Sequence, residues 1–467
     1  MYYAPKIKQT SRTYSVQNRR PLSLHFFSAR QLDQIPQIVK LPHDMRFAMK
    51  VVAQVLPFRV NQYVIKNLID WDNVPDDPIF KLTFPQPDML TQKHFDRMAN
   101  LLRKGADDQQ IRTVANKIRA ELNPHPAGQQ VHNIPFLDGL PLSGMQHKYR
   151  ETVLFFPRQG QTCHTYCTFC FRWAQFVGID ELRFSAGETS NLHRYLAKHK
   201  DVTDLLLTGG DPMVMKTSLL KEYVKPLLQP EFEHIQTIRI GTKSLTYWPY
   251  RYVSDSDADD LLRLMERLVK GGKHVAIMAH CNHWQEMETP IARKAIWRIR
   301  GTGAIIRSQS PIVKHINDDP EIWARMWRTQ VRLGIVPYYM FIARNTGACH
   351  YFELPLAKAC EIYHNAVLKV SGLARTVRGP SMSAGPGKID VQGIAEINNK
   401  KVFVLRFIQG RNPDWVQRPF FARFDPEASW LNHLRPAFGA EKFFYEDEYQ
   451  AICEKERAIE ISKVGTA

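Results

Sequence analysis

The hydrophobic pattern along the chain falls into three regimes. Apolar residues recur at three- and four-residue spacing over 45–55 and 95–122, which predicts amphipathic helices. Proline-rich breaks at Pro75, Pro78, Pro85, Pro87, Pro124 and Pro126 separate them. In the centre the pattern turns to short apolar runs at 153–156, 204–208, 237–240, 274–278, 304–306 and 336–341. Helical patterns fill the gaps. Over Ala258–Lys270, Leu261, Leu262, Leu264, Met265, Leu268 and Val269 make one apolar face. Ser254 or Asp255 is placed to cap its start, and Gly271 and Gly272 end it. Strands alternating with helices predict βαβ units and a parallel sheet. The fold class is therefore α/β. Six units point to a partial (β/α)6 barrel, with an open doubly wound sheet as the alternative. In both, the working site lies at the C-terminal ends of the strands.

The third regime, from Arg378, is rich in Gly and Pro and then β-like. Runs at 391–397 and 401–407 flank Asn398-Asn399-Lys400, which predicts a hairpin in a small C-terminal α+β region. Four segments result: a basic, flexible arm over 1–43, a helical region over 44–146, the barrel over 147–377 and the C-terminal region over 378–467.

Composition narrows the class. The 467 residues leave room for two or three domains, or for a barrel with extensions. A hydrophobic fraction of 44% supplies a core and excludes global disorder. No run approaches the ~20 apolar residues that span a bilayer. Lys and Arg number 63 against 46 Asp and Glu, a net charge of +17. That excess suits a polyanionic partner, an anionic substrate or a basic surface alike. No acid precedes Asp33, whereas Lys6, Lys8, Arg12, Arg19, Arg20 and Arg30 do. Such a composition is shared by organelle transit peptides and disordered basic arms, and the arm is the reading adopted, with a cytoplasmic location.

Seven cysteines, an odd number, do not make a disulfide framework. Cys163, Cys167 and Cys170 lie within eight positions, directly after the first central strand. Three thiolates spaced C-x3-C-x2-C in one loop can hold three irons of a cubane and leave the fourth open to a small ligand. A structural zinc site would want a fourth ligand, for which His164 is the nearest candidate. Gly209 and Gly210 end a buried strand, where backbone without a Cβ can approach another group closely.

The triplet, Cys170-Phe171-Arg172, Thr208-Gly209-Gly210-Asp211-Pro212, Arg239-Ile240-Gly241-Thr242-Lys243, His280-Cys281-Asn282-His283 and Ser308-Gln309-Ser310 occur in that order. Together they resemble the lysine 2,3-aminomutase family of radical S-adenosylmethionine (SAM) enzymes, from about Met45 to Lys388. The resemblance implies a [4Fe–4S] cluster on the three cysteines and SAM contacts at Gly209, Gly210 and Asp211. It also implies a cofactor-facing pair at Ser308 and Gln309. A Gly-rich loop ending in Lys388 matches the family's lysine for pyridoxal 5′-phosphate (PLP), with Tyr149 beside it. The loop departs from the usual run of glycines. Thr152 stands where the family often has an arginine for the cofactor phosphate, and Arg150 or Arg158 is the expected replacement. Arg172 matches the arginine that grips the substrate carboxylate.

Two further positions depart from the lysine-specific pattern. Arg344 and Arg378 align with acids that neutralise the ε-ammonium of lysine. Guanidinium there repels lysine and attracts a carboxylate, so an acidic amino acid is the expected substrate. The implied activity is a 2,3-aminomutase moving an α-amino group to the β-carbon. Its electron donor would be a flavodoxin or ferredoxin, and its state a homo-oligomer. The alternative is a PLP-independent radical SAM enzyme that modifies a protein or RNA, which the +17 charge and Thr152 favour. No zinc is expected in the C-terminal region, where Cys453 stands alone and Trp415 and Trp430 read as core.

Overall fold

The computed structural model describes residues 23–123, 133–179 and 183–464. Lys6, Lys8, Arg12, Arg19, Arg20, Pro124 and Pro126 lie outside them. Folded chain begins earlier than the expected arm over 1–43 implies. Phe26–Ser28 pairs antiparallel with Arg59–Asn61, and Leu32, Ile35 and Ile38 are buried. The correction has a simple cause: three apolar side chains at three-residue spacing find a core.

The helical expectation is met by α1 (His43–Val55), α2 (Gln92–Arg103) and α3 (Asp108–Leu122). The pattern over 95–122 is two helices rather than one. Gly105 takes a φ of +65°, and Asp107 starts the next helix by accepting from Gln110 N at 2.8 Å. These helices share a core with Phe80 and Phe84, and also with Trp173, Tyr247, Trp248 and Phe352 from far along the chain. The helical region therefore roofs the cysteine loop. Tyr166 N donates to Arg59 O at 2.9 Å, Thr168 N to Leu82 O at 3.0 Å, and Asn61 Nδ2 to His164 O at 3.0 Å.

One mixed sheet of eleven strands organises the rest. Its strands are β1 (Met145–Tyr149), β2 (Thr152–Phe155), β3 (Asp204–Leu207), β4 (Thr237–Thr242), β5 (His274–His280) and β6 (Ile305–Ile312). They continue with β7 (Val336–Ile342), β8 (Arg378–Ser383), β9 (Gly387–Ile397), β10 (Lys400–Gly410) and β11 (Pro419–Arg423). β2 to β7 are parallel and adjacent in sequence order. β8 adds parallel to β7, and β9 to β11 continue as an antiparallel meander. The C-terminal residues thus extend the same sheet instead of forming a region of their own. Asn398 and Asn399, at φ +52° and +58°, make the expected β9–β10 turn.

Helices follow the parallel strands: α4 (Thr189–Lys198), α5 (Thr217–Val224), α6 (Ala258–Lys270), α7 (Pro290–Gly301), α8 (Pro320–Leu333) and α9 (Leu356–Val367). A last helix, α10 (Glu446–Val464), ends the described chain. α6 spans the expected residues, but neither Ser254 nor Asp255 caps it. Asp257 is its N-cap, and its carboxylate accepts instead from Thr217 N at 2.7 Å and pairs with Arg251 Nη1, also at 2.7 Å. Val153, Leu205, Ile238 and Ile277 are fully buried under these helices. Fully burying such a side chain contributes about 1.5–3 kcal/mol, which explains the near-continuous apolar runs. No helix among the described residues is long and apolar enough to cross a membrane.

Candidate active site

The loop after β2 carries Cys163, Cys167 and Cys170, and the β3 loop grips it from one side. Asp211 N donates to Gly160 O at 2.9 Å and to Thr162 O at 2.7 Å. A Cβ on Gly210 would lie 2.5 Å from Thr162 N, and one on Gly209 would strike the Gln161 side chain. Gly209 also takes a φ of +135°. The close approach read at these glycines is thus made to the cysteine loop itself. Asp211, expected at SAM, has both carboxylate oxygens engaged by protein. Oδ1 accepts from Met213 N and Thr242 Oγ1, at 2.9 and 2.6 Å, and Oδ2 from Lys243 N at 2.9 Å. Burial, opposed by these bonds, raises its pKa to about 6. Its place is to lock the β3 and β4 loops together.

The three cysteines are only partly accessible and densely surrounded by protein. Burial pushes Cys167 up to about 12, Cys163 well above its ordinary value and Cys170 upward too. The other two thiols add to the shift at Cys163, which places the three together. A bound cation inverts that preference and favours thiolate. Among the described residues, no three His, Cys, Asp or Glu side chains converge on one metal ion. Three thiolates that each take a separate iron of a cubane need not converge, so the donor set fits a [4Fe–4S] cluster. His164 is buried, with its pKa pushed down to about 3 by burial and by Arg251 and Arg59. Its ring is neutral and lies beside those arginines.

Beyond Cys167, Lys243 Nζ donates to Glu286 Oε2 at 2.6 Å and Asn282 Oδ1 at 2.9 Å. Glu286 Oε1 accepts from the backbone of Asn282 and His283. His283 Nδ1 accepts from Gln285 N, so His283 holds a turn. Gln309 Nε2 donates to His280 Nε2 at 2.7 Å, and burial takes the His280 pKa down to about 4. Ser308 corrects an expectation. Its Oγ donates to Gln330 Oε1 of α8 at 2.7 Å, on the opposite face of β6 from Gln309. Strand parity therefore divides the expected pair, leaving Gln309 on the polar face and Ser308 against a helix.

A second cluster forms where β7, β8 and β9 meet β1. Lys388 is directly opposite Ser383, and its Nζ sits 4.3 Å from the Tyr339 ring centroid. Burial first, then Arg239 and Arg378, lower its pKa to about 7. Arg344 donates to Ser383 O at 3.0 Å and lies 4.9 Å from the Phe171 ring, while Arg172 lies 5.2 Å from the same ring. Burial and the nearby Arg344 bring Arg172 down to about 9. Lys148 donates to Ala384 O, and its pKa falls well below the usual value through burial, then Arg411, Arg344 and Lys388. Sequence reasoning missed Lys148; its signal was a lysine beside Tyr149 in the strand that leads into β2. The buried Tyr149 hydroxyl has no hydrogen-bond partner here, nor has Ser381 Oγ. Among the described residues, neither Arg172 nor Arg344 is ion-paired with a carboxylate.

Arg378 stands at the exposed rim of this cluster, 5.9 Å from the Tyr339 ring centroid. Arg378 is exposed at the start of β8, opposite Tyr339, and it donates to the Tyr339 hydroxyl at 3.4 Å. Arg344 is tied to Ser383 at the far end of that strand, so the expected Arg344–Arg378 pair is not formed. Thr152 Oγ1 donates to Asp204 Oδ2 at 3.1 Å. The expected replacements for a phosphate arginine also face away. Arg150 is exposed and paired with Glu151. Arg158 lines a cavity of about 340 Å³ with Gln161, Tyr166, Phe176 and Arg183, none of them in the Lys388 cluster. A buried amine with a lowered pKa, an orphaned phenol and unpaired cations fit PLP. Arg411 closes this end: it donates to Gly385 O at 3.1 Å and to Asn133 Oδ1, and pairs with Glu456 of α10 at 2.6 Å. Trp415 and Trp430 are buried, as expected of core.

A three-cysteine loop follows the first of six parallel strands, and comparison with known proteins supplies the family. No protein-family model matches the chain. It is 30% identical over 397 residues to a protein of Aquifex aeolicus (strain VF5) named "Putative L-lysine 2,3-aminomutase", covering 85% of this chain and 92% of the relative. It is 22% identical over 365 residues to the L-lysine 2,3-aminomutase of Bacillus subtilis (strain 168), covering 78% and 67%. The Streptococcus suis SuiB structure with S-adenosylmethionine aligns at 14% identity over 59% of this chain and 58% of its own. Its TM-score of 0.34 is too low to bear on the fold. The chain belongs to the lysine 2,3-aminomutase family.

Proposed function

We propose that the chain is a PLP-dependent 2,3-aminomutase acting on an acidic amino acid, glutamate or aspartate before lysine. Arg172 and Arg344, at 5.2 and 4.9 Å from the Phe171 ring and with no carboxylate paired to either among the described residues, carry this reading. The six parallel strands are read as a partial (β/α)6 barrel. Cys163, Cys167 and Cys170 hold the [4Fe–4S] cluster, with SAM against the Gly209–Gly210 loop and Gln309 on the polar face of β6. When bound, the cluster with SAM supplies a radical that removes hydrogen, and PLP carries the migrating amino group. Lys388 is the lysine that bonds PLP, and its pKa of about 7 keeps much of it neutral and nucleophilic at physiological pH. Tyr149 and Lys148 flank it. Arg172 holds the substrate α-carboxylate and Arg344 the side-chain carboxylate, and two fixed forks orient the β-carbon. The reductant is a flavodoxin- or ferredoxin-like donor, and the assembly a homo-oligomer.

Borohydride trapping of anaerobic protein with PLP, followed by peptide mapping, is the test. A pyridoxyl group on Lys388 is expected. An amino-acid panel should then show turnover of acidic substrates over lysine. Arg344→Ala should lower kcat/KM for them by about thirtyfold or more, since truncating one partner of a buried charge pair costs 2–5 kcal/mol. An unmodified Lys388 in a chain that still cleaves SAM moves the function to PLP-independent modification of a protein or RNA. Good turnover of lysine with none of acids overturns the substrate assignment.

A further inference from the structure

The side of the cysteine loop that faces β4 carries an arrangement beyond ligand binding. Cys167 Sγ lies 3.7 Å from the Tyr247 hydroxyl. Among the described residues, Cys167 alone of the three cysteines has a side-chain hydrogen-bond partner. Tyr247 is 1% exposed and ends the short helix Ser244–Tyr247. Its own carbonyl accepts from Asn61 Nδ2 at 2.8 Å, and the aromatic roof packs around it, so its position is fixed. Lys243 Nζ sits 4.3 Å from its ring centroid and is itself anchored on the buried Glu286.

A thiolate on iron can only accept, so the phenol must be the donor. Each electron added to a [4Fe–4S] cluster spreads negative charge over its sulfurs, and a donor aimed at one of them stabilises the reduced state. The ammonium over the ring face draws electron density from the phenol and strengthens that donor. We propose that Tyr247 raises the reduction potential of the cluster held by Cys163, Cys167 and Cys170, through its hydrogen bond to the Cys167 sulfur. The proposal rests on the cluster assignment above. Tyr247 acts through Cys167 and is a positioning residue.

The test is a potentiometric titration of reconstituted protein. Dithionite supplies the single electron through viologen mediators, and electron paramagnetic resonance reads the reduced cluster. Tyr247→Phe should shift the midpoint to lower potential at unchanged iron and sulfide content. Tyr63→Phe removes another buried hydroxyl, 2.7 Å from Thr289 Oγ1, and should leave the midpoint unmoved. 3-Fluorotyrosine at position 247, a stronger donor of nearly the same shape, should shift it upward, and serves if the Phe variant does not fold. An unmoved midpoint in both position-247 variants overturns the proposal. A wild-type chain that assembles no [4Fe–4S] cluster overturns it together with the assignment beneath it.

Discussion

The two ends of the site treat charge in opposite ways. Behind the cysteines, the buried cations have acids built for them: Lys243 sits on Glu286 at 2.6 Å and Arg251 on Asp257 at 2.7 Å. Around Lys388, the protein crowds Arg172, Arg344, Lys148 and Lys388 together, and among the described residues none of the four is ion-paired with a carboxylate. Like charges in a poorly solvated space repel by several kcal/mol, and a fold that retains them leaves the balance to an anionic ligand. The first end is completed by the chain and the second by what it binds.

Three measurements sharpen or break that contrast. The largest effect is expected at the completed end. Glu286→Gln leaves Lys243 buried without its partner and should cost about 3–5 kcal/mol of stability in urea unfolding. A loss under 1 kcal/mol would place the pair in effective contact with water. At the other end, a dicarboxylate at a hundredfold its Kd should stabilise the PLP-free chain by about 2.7 kcal/mol. Lysine should not, and Arg344→Ala should remove the effect. Equal stabilisation of wild type and Arg344→Ala would deny that cluster its ligand. The smallest effect is a pH slope. With the Lys388 pKa lowered to about 7, the folded chain binds fewer protons than the unfolded one between there and the ordinary 10.5. Stability should therefore rise with pH across that window, by at most about 1.4 kcal/mol per pH unit. Wild type should gain against Lys388→Met between pH 7.5 and 9.5, and parallel curves would show that Lys388 is solvated.

The parallel half of the fold was legible because local pattern and tertiary role coincide there. Residues 153–156, 205–207 and 275–278 are apolar throughout, since helices cover one face of those strands. The meander of β9 and β10 was legible as a hairpin, but not as a continuation of the main sheet. That continuity depends on β8 meeting β7, a pairing no local pattern records. The cysteines, Lys388 and Arg172 were candidates on spacing and resemblance. Ser308 and Asp211 did not show where they point. For Ser308 a one-residue parity decides between a helix and the polar face, and for Asp211 the decision lies in donors at Met213 and at the end of the neighbouring strand β4. Arg378 was paired with Arg344 on sequence position alone, and the length of β8 separates them. Lys148 was missed despite its place beside Tyr149, because its burial comes with the Lys388 loop and Arg411, hundreds of residues downstream.

The Arg411 guanidinium joins three distant stretches of chain: Asn133 before β1, Gly385 beside Lys388, and Glu456 in α10. During synthesis on the ribosome, the cysteine loop and its roof of α1 to α3 emerge long before that junction can close. The cysteine end of the site is thus synthesised while the lysine end still lacks its last wall. The chain supplies the residues of its cysteine end first and the junction at Arg411 last.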